Sequence, residues 1–342
     1  MLPLSILDLA NVTQGSRPGV ALRNSIDLAC HAEQWGYGRF WVAEHHNMSG
    51  IASSATAVLI GQIAAATKSI KVGSGGVMLP NHAPLVIAEQ FGTLAELFPG
   101  RIELGLGRAP GTDQLTAHAL RRNLTGNVDD FPNDVLELQH YLDDPQEGQA
   151  VVATPGAGTK VPLWILGSST FGAQLAAALG LPYAFASHFA PQQMMEAIRI
   201  YRARFRPSEQ LDKPYVMLGY NVCVADTDEE AEYLRSSGLQ AVMALRAGKP
   251  IQLPPPIRNF DATLSPQEKA MIDNWVVCSA VGSPATVKAR MAQFLEQTGA
   301  DELMCVSAIY DHAKRLESFR RTSELAAELG GGAGSLVKAQ SA

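Results

Sequence analysis

The stretch Glu44-His45-His46 places a carboxylate and two imidazoles directly after the apolar residues 40–43. Such a group can bind a metal ion, move a proton near neutral pH, or hydrogen-bond within a loop. Neighbouring side chains of an extended chain point to opposite faces, so His45 and His46 are poorly placed to share one metal ion. The sequence also has no H-x-H or H-x-x-x-H spacing. We therefore interpret this stretch as carrying a histidine that faces a cofactor or a substrate. A structural histidine pair and a metal site are the alternatives.

A pair of glycines, Gly75 and Gly76, interrupts the apolar residues 72–80. Glycine weakens a strand, so two together indicate a bulge or a backbone that something approaches closely. A tight turn between a strand and a loop would explain the pair from the residues alone. The chemical alternative is a flat aromatic ligand packed on the peptide plane.

Two further stretches have residues suited to binding an anion. Gly105-Leu106-Gly107-Arg108 is not a dinucleotide-binding loop, because it has one residue too many before the third glycine and Pro110 would disturb the following helix. What remains is an arginine just beyond a strand, which suits phosphate or a surface ion pair. Gly167-Ser168-Ser169 leads from another strand into a helix, whose free N–H groups and dipole attract anions. Simple capping of that helix by Ser168 or Ser169 is the alternative.

The elements that carry these residues alternate between short apolar strands and amphipathic helices. The alternation predicts an α/β chain of the (β/α)8 TIM barrel class with inserted loops, rather than an open doubly wound sheet. Reactive groups of such a barrel lie at the carboxyl ends of its strands, so Asp8 and all the stretches above are expected around one mouth. The predicted strands are residues 5–9, 37–43, 70–74, 101–106, 162–166, 183–186, 215–225 and 303–308.

The same alternation predicts one barrel domain over residues 1–329. Irregular sequence falls at about 143–160 and at 249–259, where three successive prolines favour an extended chain. We interpret both segments as inserted loops, and the second as a candidate lid. The glycine-rich residues 330–342 are expected to form a disordered tail.

Composition narrows the functional class. The chain has 342 residues, 46% of them hydrophobic, which is enough for a large core. A net charge of -6 argues against nucleic acid or an anionic membrane surface as the main partner. No apolar run reaches the roughly 18 residues of a membrane span, and no signal-peptide pattern opens the sequence. The 4 cysteines form no C-x-x-C pair, so a cytoplasmic location is expected.

Four stretches together resemble the bacterial luciferase-like flavin monooxygenases: WVAEHHNM, VGSGGVMLPNHAPLVIAEQFGTL, LFPGRIELGLGRAPGTD and LWILGSSTFGAQLAAALGLPYAFASHF. The resemblance extends over most of the chain, and within the family it is to the single-type, luciferase-like oxidoreductases of unassigned substrate. It implies a TIM barrel that binds reduced FMN at the strand ends, with a non-proline cis peptide at Gly75-Gly76 beneath the flavin ring. It also implies catalysis by His45, oriented by Glu44 or a neighbour. The implied phosphate site consists of Arg108 and the helix start at Gly167, Ser168 and Ser169.

The activity implied by the resemblance is that of a flavoprotein oxidoreductase, a monooxygenase that uses reduced FMN and O2 on a small organic substrate such as an aldehyde or a ketone. A separate flavin reductase would supply FMNH2, since no nucleotide-binding domain is visible, and a homodimer is expected. A deazaflavin-dependent oxidoreductase and a non-catalytic flavin-binding barrel are the alternatives. From the residues alone, a metal-dependent barrel hydrolase is a third.

Two positions depart from the luciferase pattern. His118 falls where luciferases have a second phosphate-binding arginine, so either Arg121 or Arg122 substitutes for it or the phosphate is held less firmly. Gly107 falls where luciferases have a cysteine beside the flavin, which argues against light emission.

Overall fold

The computed structural model describes residues 2–109, 114–120 and 128–336. Its strands form one parallel sheet, in which β6 pairs with β7, β7 with β9 and β9 with β1, so that eight strands close into a barrel and β8 lies outside it. This confirms the (β/α)8 prediction. The strands are β1 (Leu4–Asp8), β2 (Arg39–Val42), β3 (Lys71–Met78), β4 (Ile102–Gly107), β5 (Leu163–Gly167), β6 (Tyr183–Phe185), β7 (Val216–Val224), β8 (Ser279–Gly282) and β9 (Glu302–Val306).

Helices connect the strands and cover the outside of the barrel. Proline stands in the first turn of five of them, where its missing N–H has no helical partner to lose, and a left-handed glycine ends two of them at Gly180 and Gly299. The helices are α1 (Pro18–Gln34), α2 (Thr56–Ala66), α3 (Pro84–Leu97), α4 (Gln114–Leu120), α5 (Phe131–Leu142), α6 (Thr170–Leu179), α7 (Met194–Arg204), α8 (Asp228–Arg246), α9 (Pro266–Trp275), α10 (Pro284–Thr298) and α11 (His312–Leu336).

Three elements were not predicted from the sequence. The short strand β8 pairs with the last four residues of β7, beyond the three residues of β7 that pair with β6. Helix α9 precedes it and begins with a capping box between Ser265 and Glu268. Helix α4 lies in the long connection after β4. A four-residue strand of small side chains has too little periodicity to be recognised, and these elements leave the barrel order unchanged.

The carboxyl-terminal helix is longer than the sequence indicates. It continues to Leu336, into the segment for which a tail was expected, and residues 337–342 lie outside the described residues. The domain boundary at residue 329 stays a prediction.

Side chains of the strands alternate between two cores. Ile6, Phe40 and Val72 are fully buried between the barrel wall and the helices. Their neighbours fill the inside of the barrel, where Leu7, Trp41, Trp164, Met217 and Met304 pack together. This alternation is the pattern expected of parallel strands with both faces covered.

A charged network closes the amino-terminal end of the barrel interior. Arg39 donates to Glu103 at 2.9 Å and also pairs with Glu302. Trp41 donates its indole N–H to Glu103 at 3.1 Å, and Tyr215 donates its hydroxyl to Glu302 at 2.7 Å. Burial alone would lower the pKa of Arg39, but the two glutamates raise it above its ordinary value. Lys71 also pairs with Glu103, at 3.2 Å, so the network keeps a partly buried arginine and a second cation beside two buried carboxylates.

Replacing Arg39 by methionine should lower the free energy of unfolding by about 3–5 kcal/mol, because two buried carboxylates lose their shared cation and only Glu103 keeps another, Lys71. Urea unfolding of the variant and the wild type measures this difference. The matched control is Arg199→Met, which breaks an exposed ion pair with Glu196 on α7 and should leave the free energy of unfolding almost unchanged. Equal losses in the two variants would mean that the buried network contributes no more than a surface ion pair.

Candidate active site at the mouth of the barrel

The parallel strands bring the candidate residues to one end of the barrel. Glu44, His45 and His46 follow β2, and Arg108 follows β4. Gly75 and Gly76 lie in the carboxyl half of β3, and the segment 167–169 follows the last residues of β5. The expectation of a single mouth therefore holds for these residues.

Glycines line the wall of this mouth because there is no space for side chains. A Cβ on Gly75 would lie 2.5 Å from Leu7 Cδ1, and one on Gly76 would lie 2.7 Å from the carbonyl oxygen of Gly105. A Cβ on Gly105 would in turn lie 2.3 Å from the carbonyl oxygen of Ser74. The peptide bond between Gly75 and Gly76 is cis, as the resemblance implies. Here the backbones of β3 and β4 approach closely, and Gly75 stays partly exposed.

Arg108 and the start of α6 are neighbours in space. The guanidinium carbon of Arg108 lies 4.1 Å from the centre of the Phe171 ring, in the first turn of α6. Ser169 is the N-cap residue with an extended backbone, and its side chain makes no capping hydrogen bond within the described residues. Ser168 is exposed. The simple capping alternative is therefore wrong for Ser169. The backbone N–H of Thr170 donates to Oε1 of Gln193 at 3.3 Å instead, and Arg108 stands beside this helix N-terminus.

Close packing holds that helix start against the barrel. A Cβ on Gly167 would lie 3.3 Å from the Tyr183 hydroxyl, and one on Gly172 would lie 3.3 Å from Cε2 of the same tyrosine. The Tyr183 hydroxyl donates to the carbonyl oxygen of Ser169 at 3.1 Å. Tyr183 of β6 thus fixes the position of the segment in which Ser168 and Ser169 lie.

The second phosphate-binding position stays a prediction. His118 is an exposed residue of α4. Arg121 and Arg122 lie outside the described residues.

Glu44 is the centre of a buried hydrogen-bond cluster. It is 2% exposed, and its Oε1 accepts from Nε2 of His46 and from Nε2 of His82, each at 2.8 Å. Its Oε2 accepts from the backbone N–H of Met78 at 3.0 Å. Burial alone would raise the pKa of Glu44, but hydrogen bonds from both imidazoles, the charge of His82 and the Met78 amide lower it to about 2. Glu44 thus joins the loop after β2 to the loop after β3.

His82 was not identified from the sequence. It stands four residues beyond Met78, the end of β3, so the rule that reactive groups follow barrel strands could have found it. The ligand atoms of Glu44, His46 and His82 lie within 4.8 Å of one another, an arrangement that a metal ion could also use. The sequence argument against a metal concerned only His45 and His46, so the absence of a metal stays a prediction.

Asp8 is not at the mouth, contrary to the sequence prediction. Its carboxylate is fully buried and pairs with Arg315 of α11 at 2.7 Å. Burial alone would raise the pKa of Asp8, but Arg315 and Ser25 of α1 lower it. Asp8 points outward, on the same face of β1 as Ile6, because alternate residues of a strand share a face. It therefore joins the barrel wall to the helical layer.

His45 is half-buried, and its carbonyl oxygen accepts from the Ser54 hydroxyl at 2.8 Å. A second histidine, His188, stands close enough to affect it electrostatically. Burial and the nearby His45 lower the pKa of His188 to about 4. The loops after β2 and β6 thus bring His45 and His188 together at the mouth, and of these two only His45 was identified from the sequence.

Loops from distant parts of the chain meet beside the loop that carries His45. A Cβ on Gly50 would lie 2.2 Å from the carbonyl oxygen of Ile251, and Leu253 forms a bridge with Thr13. The proline-rich segment is therefore anchored beside the mouth at Leu253, and its role as a lid stays a prediction. Within the described residues, no helix is long and apolar enough to span a membrane.

Comparison with known proteins identifies the family. The family model for luciferase-like monooxygenases matches residues 2–302. A luciferase-like monooxygenase of Escherichia coli strain K12 is 52% identical over 328 residues, 96% of this chain and 98% of the relative. The chain belongs to the luciferase-like monooxygenase family.

Two other similar proteins cover most of the chain. An N-acetyl-S-alkylcysteine monooxygenase of Bacillus subtilis strain 168 is 37% identical over 259 residues, 74% of this chain and 77% of the relative. The crystal structure of apo-MsnO8 has 37% identity and a TM-score of 0.84, and the match covers 95% of this chain and 98% of that one.

More distant solved structures share the fold. The oxygenating constituent of 3,6-diketocamphane monooxygenase from Pseudomonas putida, solved in complex with FMN, is 20% identical with a TM-score of 0.69 over 94% of this chain and 96% of that one. An F420-dependent secondary alcohol dehydrogenase is 18% identical with a TM-score of 0.61 over 93% of this chain and 97% of that one. The fold is therefore used with more than one kind of flavin.

Replacing Glu44 by glutamine should destabilise the protein at neutral pH. A folded-state pKa of about 2 lies below the ordinary value of 4.5, so the carboxylate contributes stability above pH 4.5. That difference corresponds to about 3 kcal/mol. The contribution should disappear as the pH falls from 4.5 towards 2. Urea unfolding of wild type and Glu44→Gln across this range measures it.

The exposed Glu209 provides the control, since Glu209→Gln removes a charge without a buried cluster. Its stability should follow the wild type at every pH. If the difference between wild type and Glu44→Gln did not change with pH, the ionised carboxylate would not be the stabilising form.

Proposed function

We propose that this member of the family is an FMN-dependent monooxygenase that uses reduced FMN and O2 on a small organic substrate, with FMNH2 supplied by a separate reductase. The observation that carries the proposal is that Arg108 lies beside the start of α6, whose N-cap residue Ser169 makes no capping bond, at the mouth of the barrel. A cation and a helix N-terminus together favour the phosphate of a flavin nucleotide.

The residues of the mouth fit both parts of FMN. Arg108, Ser168 and Ser169 would hold the phosphate, and Gly167 allows their segment to lie close to α6. Gly75 and Gly76 present bare backbone on which a flat ring system can pack. When bound in its reduced form, FMN supplies the electrons that activate O2.

The family supports FMN rather than a deazaflavin. A deazaflavin transfers hydride and does not activate O2, so a monooxygenase requires the true flavin. The FMN complex of the Pseudomonas putida protein supports the same choice, whereas the F420-dependent dehydrogenase makes the deazaflavin the second candidate.

The chain would contribute position, proton transfer and exclusion of water. His45 lies at the mouth, where an imidazole can donate a proton or a hydrogen bond near neutral pH. Glu44 would support it by fixing the loops after β2 and β3 through His46, His82 and Met78. The packed interior below excludes water from the reacting groups.

The homodimer and the class of substrate are also proposals. Val58, Val86 and Leu97 are exposed apolar side chains of α2 and α3, and they support these helices as the surface of a homodimer. The N-acetyl-S-alkylcysteine monooxygenase supports testing a thioether beside aldehydes and ketones.

Anaerobic titration with reduced FMN, followed by flavin fluorescence, tests the phosphate site. Wild type should bind reduced FMN, and Arg108→Ala should bind it roughly 10- to 100-fold more weakly, because a hydrogen bond to a charged group is lost. Arg199→Ala, which removes an exposed arginine of α7, is the control and should bind like the wild type. If Arg108→Ala bound as tightly as the control, Arg108 would not contact the phosphate. Binding of F420 in place of FMN would favour the deazaflavin.

Turnover with reduced FMN, O2 and a panel of hexanal, cyclohexanone and N-acetyl-S-methylcysteine tests the role of His45. His45→Ala should lower kcat about 100-fold or more, since general acid–base groups contribute on that scale. It should still bind reduced FMN. His140→Ala, which removes an exposed histidine of α5, should retain the wild-type rate.

Wild-type turnover that persists in His45→Ala would contradict the catalytic role. Tight binding of reduced FMN without turnover of any of the three compounds would favour the non-catalytic flavin-binding barrel.

A further inference from the structure

His188 lies inside the mouth, on the wall formed by β7. It stands three residues after the end of β6, and a Cβ on Gly219 would lie 2.0 Å from its Nδ1. Gly219 is on the same face of β7 as Met217, which packs inside the barrel. The imidazole therefore occupies the space that a side chain at position 219 would fill.

Two hydrogen bonds fix the backbone around this histidine. The side-chain amide of Asn221 donates to the carbonyl oxygen of His188 at 2.8 Å. The Ser187 hydroxyl donates to the carbonyl oxygen of Gly219 at 2.6 Å. Both bonds tie the loop to β7, so the backbone that carries the ring is held in place.

The protonation state of the ring follows from its surroundings. Nδ1 is buried and has no hydrogen-bond partner in the part of the chain that the structure describes. A buried N–H without an acceptor is rarer than a buried acceptor without a donor, so the proton of the neutral ring belongs on Nε2. Burial and the nearby His45 lower the pKa of His188 to about 4, which leaves the ring neutral at pH 7.

We infer that His188 is a substrate-contacting residue, whose Nε2–H donates a hydrogen bond to a carbonyl-type oxygen of the substrate, beside His45. This inference rests on the proposed function and narrows its substrate to compounds with such an acceptor. A neutral donor suits a carbonyl oxygen on which negative charge develops during the reaction, because it stabilises that charge without first having to lose a bound counter-ion.

Three substitutions of His188 show which of the two ring nitrogens donates the hydrogen bond. Glutamine places an amide N–H at about the reach of Nε2, asparagine places one at about the reach of Nδ1, and leucine has no donor. Turnover of hexanal and cyclohexanone with reduced FMN and O2 gives kcat and KM separately. His188→Leu should lower kcat/KM roughly 100-fold, and His188→Gln should retain more activity than His188→Asn. Binding of reduced FMN and the melting temperature should match the wild type.

Gly219→Ala tests the same contact with the imidazole still present. The added methyl group would displace the ring, so this variant should lose kcat/KM in the manner of His188→Leu. Gly19→Ala is its control, because a Cβ there meets only Arg23 at an ordinary distance of 3.6 Å.

Nuclear magnetic resonance of protein with 15N-labelled histidine gives a readout that does not depend on turnover. The signal missing from His188→Leu identifies the residue, and its two 15N shifts should be those of a neutral ring protonated at Nε2. A ring protonated at Nδ1, or an unchanged kcat/KM in His188→Leu with every compound that the wild type turns over, would each overturn the inference. Failure of the proposed function is distinct, since the wild type itself would then either not bind reduced FMN or turn over none of the compounds.

Discussion

The interior of the barrel has a small volume that is set by its eight strands, and the rest of the structure depends on how that volume is filled. At the amino-terminal end, Arg39 and its two glutamates occupy it with charge. In the middle, Trp41 and Trp164 pack edge to face, with ring centres 5.1 Å apart. At the carboxyl end, neighbouring atoms approach β3 and β4 so closely that only glycine fits at positions 75, 76 and 105, and the mouth is walled there by bare backbone. The amino-terminal and middle parts of the interior are filled with side chains, so the carboxyl end is the part that remains open for a ligand.

Buried carboxylates hold both ends of the barrel, but with different partners. Glu103 and Glu302 are paired with arginine, which stays charged at all ordinary pH values. Glu44 is hydrogen-bonded to two histidines instead, His46 and His82. The amino-terminal end is therefore held by permanent charges, whereas the cluster beside the mouth is held by hydrogen bonds between imidazoles and a carboxylate.

His45 and His188, which lie together at the mouth, differ in environment. His45 lies on the loop after β2, partly exposed, whereas the Nδ1 of His188 is buried against β7. Titratable groups placed in unlike surroundings take unlike protonation states, and this is how enzymes assign separate roles to similar side chains. The mouth thus places His188, whose pKa is lowered by burial, beside a partly exposed His45.

Local sequence patterns determined the parts of the protein that depend on neighbours along the chain. The alternation of strands and helices predicted the barrel, and the rule for strand ends placed His45, Gly75, Arg108 and Ser169 at one mouth. The resemblance to the luciferase-like family further placed a cis peptide at Gly75-Gly76, where the structure has one.

Only the tertiary structure decided which side chains meet across the barrel. It paired Asp8 with Arg315, 307 residues away, and gave Glu44 the distant partner His82. It also brought His188 beside His45 through contacts between β2, β6 and β7. The physical reason is that a periodic pattern specifies which face of an element is buried, whereas the partner on that face depends on how the sheet closes.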